Sequence, residues 1–143
     1  MADRDYEYVG LDMKPERGRL KIDSRRFLNN PGWSFDIIDI DTYGLPWAHY
    51  LAALKRSPKS FTVFLTVGCY TIGGSKLNFE VKRILKLGSV EPPAAICADL
   101  NKSFTIEMIS EASRRGWNII EIKEAVPFKK GTARYFGVRL EKC

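Results

Sequence analysis

The sequence predicts an α/β domain whose mostly parallel sheet ends in an antiparallel hairpin. Three observations carry this expectation. Short β-branched runs alternate with segments of helical periodicity between Phe35 and Gly116. The run Ser60 to Val67 is almost continuously apolar or β-branched, the pattern of a parallel strand buried on both faces. After Gly116 the style changes: residues 118–128 and 133–140 read as two strands around the short loop Lys129-Lys130-Gly131-Thr132, which makes a hairpin.

The elements follow in order. Tyr6 to Asp12 reads as a short strand ending on an acid, and Pro15 and Gly18 make the next segment a turn. Arg19 to Ile22 is a second short strand, and Asp23 to Asn30 a loop or single helical turn before Asn30-Pro31-Gly32. Phe35 to Ile40 is a compact strand that runs into Asp41. Pro46 stands at the tolerated first position of a helix bearing Trp47, Leu51 and Leu54 at helical spacing, stopped by Ser57-Pro58. Beyond Gly73-Gly74, Leu77, Val81, Ile84 and Leu85 trace another helix face with Gly88 as its stop. Pro92-Pro93 breaks the chain again. Ser103 then reads as the N-cap of a helix with Phe104, Met108 and Ala112 on one stripe, ended by Gly116.

Bulk properties narrow the class. With 143 residues the chain fits one domain, 1–143. No apolar run approaches the roughly 18 residues that span a bilayer, and no apolar core follows the polar N-terminus as in a secretory signal, so the expectation is a cytoplasmic protein with no membrane partner. Cys69, Cys97 and Cys143 have no disulfide or zinc spacing, and the lone His49 excludes a multi-histidine metal site. A net charge of +6 favours a polyanionic partner such as RNA, without requiring one.

Three segments carry a resemblance. Tyr8-Val9-Gly10-Leu11-Asp12 puts an acid at a strand end, where a carboxylate can accept from two vicinal ribose hydroxyls. Lys21-Ile22-Asp23-Ser24-Arg25-Arg26-Phe27-Leu28 places Asp23 where it can accept from an exocyclic amine, or equally cap a helical turn. Phe35-Asp36-Ile37-Ile38-Asp39-Ile40-Asp41-Thr42-Tyr43-Gly44-Leu45-Pro46 is the fullest match. Together these resemble class I S-adenosylmethionine-dependent methyltransferases, a Rossmann-like family. The third segment is similar to motif IV of the tRNA guanine N2-dimethyltransferases, F-D-x-I-D-x-D-P-[FY]-G-x-P.

The resemblance implies a site. Asp41 and Tyr43 would be catalytic, the acid orienting a substrate amine and the ring stacking on a base. Asp12, Asp23, Ser24 and Asp39 would hold S-adenosylmethionine. Tyr43, Pro46, Trp47 and Arg25 would meet an RNA or other nucleobase substrate, with Arg25-Arg26, Lys82-Arg83 and Lys129-Lys130 available to phosphate.

Two departures stand out. Thr42 occupies the place of the motif's proline. No glycine precedes Gly10, so the family's first strand and its glycine-rich loop have no counterpart in these residues. The gap this leaves in the sheet has three explanations: a truncated product, direct pairing of the flanking strands, or a piece supplied by a homodimer or partner chain. A non-catalytic assembly subunit built on the same fold is the competing expectation. An unrelated α/β enzyme using Cys69 at a strand end is the third.

Overall fold

The computed structural model describes residues 7, 9–12, 19–42, 45–68, 79–89, 98–125 and 133–143. Its strands are β1 (Gly10–Asp12), β2 (Arg19–Lys21), β3 (Ile37–Ile40), β4 (Phe61–Gly68), β5 (Trp117–Ala125) and β6 (Ala133–Lys142). Its helices are α1 (Ser24–Asn29), α2 (Trp47–Arg56), α3 (Phe79–Ile84) and α4 (Ala98–Arg114). The strands form a two-stranded parallel sheet, β1-β2, and a four-stranded sheet in the order β3-β4-β6-β5.

The expected mostly parallel sheet is corrected here. Within the four-stranded sheet only β3 and β4 run parallel, whereas β4-β6 and β6-β5 are antiparallel. The hairpin does not merely extend an edge. It folds back so that its second strand, β6, pairs along the full length of β4, from Phe61↔Leu140 to Gly68↔Ala133. This insertion converts the centre of the sheet from parallel to mixed.

Strand alternation then sorts side chains onto two faces. Ile38 and Ile40, Phe61, Val63, Leu65 and Val67, and Phe136, Val138 and Leu140 are all buried on one face, in register across the three strands. They share a single core with Trp47, Tyr50, Leu51 and Leu54 of α2 and with Met108, Ile109 and Ala112 of α4. Helix α1 packs on α2, and α4 on α3 and β5. Two buried donors tie the layers together. Tyr50 Oη donates to the Ile109 carbonyl at 3.0 Å, and Trp117 Nε1 donates to the Leu54 carbonyl at 3.0 Å.

The opposite face stands open. Ile37 is 62% exposed, Phe64 46% and Tyr135 45%. The expectation that the Ser60 to Val67 run is buried on both faces therefore fails: its alternate residues Thr62, Phe64 and Thr66 are partly or well exposed. β-Branched residues suit a pleated strand whether one or both faces are covered, so the run could not distinguish the two cases.

Ser103 is likewise not an N-cap. It lies inside α4, which begins at Ala98 because residues 98–102 contain neither glycine nor proline to stop it. The buried stripe is Thr105, Met108, Ile109 and Ala112, with Phe104 at its margin. Gly116 does end this unit, at φ +79, a left-handed conformation that glycine adopts without steric penalty.

Direct pairing of the first strand with β3 is not found among the described residues: β1 pairs with β2, and β3 pairs only with β4. The two sheets are linked in sequence by α1, which packs beside α2.

Candidate functional site

The carboxyl end of β3 carries the first group of candidate residues. Asp39 projects on the open face, opposite Phe64 in the neighbouring strand, and Asp41 follows directly after the strand ends at Ile40. Both are exposed. Partial desolvation raises the Asp39 carboxyl above the usual range, and repulsion from Asp41 adds to this. Thr42 is half-buried, with its Oγ1 enclosed and without a hydrogen-bond partner. Tyr43 and Gly44 lie outside the described residues.

Pro46 sits at the N-cap of α2, and its carbonyl accepts from His49 N at 3.1 Å and Tyr50 N at 3.0 Å. Trp47 is buried, edge-on to Tyr50 with ring centroids 6.3 Å apart. Pro46 and Trp47 are thus buried in the core, and neither offers a free ring face for a substrate base to stack on.

A second group lies at the start of α1. Asp23 is the N-cap, and its Oδ1 accepts from Arg25 N at 2.9 Å and Arg26 N at 3.2 Å. The capping role is therefore real. It occupies one carboxylate oxygen, and a carboxylate has further acceptor capacity on the other. Arg25 and Arg26 are exposed on the helix. Asp12 ends β1, and its side chain lies outside what the structure describes, as do Lys129-Lys130 and Cys69.

Ser24 brings in a residue that the sequence analysis assigned no role. Its Oγ lies 2.9 Å from His49 Nε2, joining the first turns of α1 and α2. Burial holds the His49 pKa below its usual value, Asp23 partly opposes this, and Arg25 lowers it further. His49 Nδ1 is buried and without a partner. The ring is therefore neutral at physiological pH, and it acts as a hydrogen-bonding strut rather than a charge. No local pattern could have found the pair, because its members are 25 residues apart and meet only through helix packing.

The structure thus brings together Asp39 and Asp41 in one group, and Asp23, Ser24, Arg25 and His49 in another. The chain matches no protein-family model, no curated protein and no solved structure. No described helix is long and apolar enough to cross a membrane.

Proposed function

We propose that the chain is a class I S-adenosylmethionine-dependent methyltransferase domain, or a part of one, acting on RNA or another nucleobase-containing substrate. The observation that carries the reading is the acidic pair at the carboxyl end of β3, a parallel strand. In open α/β sheets, ligands gather outside such ends. The hairpin-closed sheet supports it as well.

Within this reading Asp41, with Tyr43, faces the methyl acceptor. Its carboxylate accepts a hydrogen bond from the substrate amine and turns the nitrogen lone pair toward the transferred methyl. Asp39 stands beside it at the end of β3. Asp12 binds ribose hydroxyls, and Asp23, through its uncommitted oxygen, accepts from the adenine amine with Ser24 beside it. S-adenosylmethionine, when bound, supplies the electrophilic methyl group.

Among the described strands β1-β2 and β3 do not pair, and this bears on activity. A strand inserted there, parallel to its neighbours, would join the two sheets and could carry backbone close to the cofactor. A second copy or a partner chain would supply it by strand addition. The open sheet face favours the competing reading, a binding or assembly subunit without catalysis, because Ile37, Phe64 and Tyr135 form an apolar surface that a partner can cover.

Calorimetric titration of S-adenosylhomocysteine into the purified chain, repeated with Asp12→Ala, separates the two. Binding that disappears in the variant supports the methyltransferase reading. Absence of binding at millimolar ligand, together with stable self-association, replaces it with the assembly reading.

A further inference from the structure

A cleft of about 260 Å³ opens between α1 and α2, on the helix side of the sheet. Its charged lining comes from four separate segments: Arg25 on α1, Lys55 at the end of α2, Glu80 on α3, and Arg115 just after α4. Asn29 adds an amide, and Ala52 gives the floor its small residue.

The charges are not equivalent. Among the described residues Glu80 is the only carboxylate in the lining, and it is already engaged, 2.7 Å from Arg115 Nη2. Arg115 Nε is held by Glu111 at 3.1 Å, so this guanidinium, only 21% exposed, is fixed as part of the wall. Among the described residues no carboxylate pairs with Arg25 or Lys55. Two unneutralised cations thus face a concave space beside a third that is locked in place. Arg25 and Lys55 are exposed and line one concave space, and an anion seated there would interact favourably with both.

We propose that this cleft binds a phosphate group. Arg25 supplies a planar fork suited to two phosphate oxygens, Lys55 supplies a mobile point charge, and Arg115 is a preoriented wall. The volume leaves room for part of whatever the phosphate is esterified to. Two sources present this chemistry, a small phosphorylated molecule and the backbone of RNA. Among the described lining residues only Arg25 belongs to the site proposed above, and phosphate binding here does not require S-adenosylmethionine.

The test is titration of inorganic phosphate into the full chain, followed by ¹H–¹⁵N spectra that resolve the Asn29 side-chain amide and the Arg115 Nε–H. The expected result is a saturable shift of both signals. Lys55→Gln should weaken the response about tenfold, the loss of one charge-assisted contact. Arg25→Gln should do the same. Lys59→Gln, at an exposed lysine outside the cleft, should leave it unchanged. Unperturbed core signals show that each variant is folded. An unphosphorylated-end RNA oligonucleotide that displaces phosphate identifies the RNA backbone as the source, and retained phosphate binding without displacement identifies a small phosphorylated molecule. Failure of phosphate to shift either signal overturns the proposal, as does an equal loss in Lys55→Gln and Lys59→Gln.

Discussion

The two faces of the four-stranded sheet share one backbone and differ in almost everything else. On the helix side, Val63, Leu65, Val138 and Leu140 are sealed beneath α2 and α4, and the buried Tyr50 and Trp117 donors find carbonyl partners. On the other side, the intervening residues of the same strands are Thr62, Phe64, Thr66, Tyr135, Gly137 and Arg139. The open face is neither a core nor an ordinary polar surface. Phe64 lies over Gly137, whose position would bring a Cβ to 3.2 Å from Phe64 Cε1, so the ring has found its own small bed across the strand pair. The contrast teaches that stability and recognition are assigned to opposite sides of one element, and that alternate residues of one strand can be selected for different ends.

The largest expected effect breaks the comparison or upholds it in a single pair of variants. Leu65→Ala removes a fully buried side chain and should destabilise by about 2–5 kcal/mol. Its neighbour Phe64→Ala should cost about 0.5 kcal/mol or less, as at a surface position. Urea denaturation of both measures the difference. Equal losses would mean that the open face is covered in solution, and a concentration-dependent midpoint for Phe64 would then point to self-association.

A smaller effect should come from pH, on the helix side. Because burial lowers the His49 pKa, the unfolded chain binds a proton near the usual value of about 6.5 while the folded chain does not. The stability that depends on neutral His49 is complete above that value and is lost progressively as pH falls below it. His49→Gln should flatten this part of the profile. Thermal unfolding between pH 7.5 and 5 reads it out, and an unchanged slope in the variant would assign the acid sensitivity elsewhere.

The smallest effect belongs to the open face. Asp39 has its pKa raised by partial desolvation and by Asp41, so at neutral pH its charge works against the fold. Asp39→Asn should raise the midpoint slightly at pH 7 and leave it unchanged at pH 3, where the carboxyl is protonated in both states. If Asp39 instead serves a bound partner, the variant should lose that binding while gaining this stability.

Much of the architecture was legible because it depends on local chemistry. Pro46 at the head of α2, Gly116 at the end of α4, the hairpin and the short strand ending at Asp12 are all set by residues near in sequence. Helix α1 was legible only as an alternative, since Asp23 caps a turn as readily as it accepts from a ligand. What escaped was long-range. Which strand β6 would join, which face the helices would choose, and the meeting of Ser24 with His49 are decided by packing between distant segments. The cleft escaped for the same reason: Arg25, Lys55 and Arg115 stand in unrelated stretches of sequence and share only a space.

The position of β6 carries a consequence for the order of events in synthesis. Residues 133–142 occupy the place beside β4, and they hold β5 on their far side. Until they leave the ribosome, β4 has a neighbour on one edge only, and β5 has none among the described strands. Anchors such as Lys142 N to Ser60 Oγ, which span 82 residues, close last. Pairings at such separation form slowly because long loops must close before any contact rewards them. Among the described elements, four helices and the pairs β1-β2 and β3-β4 therefore precede β6 in the nascent chain. Chaperones that shield exposed apolar strands would meet it in that interval, with Phe61, Val63 and Leu65 still uncovered on one edge.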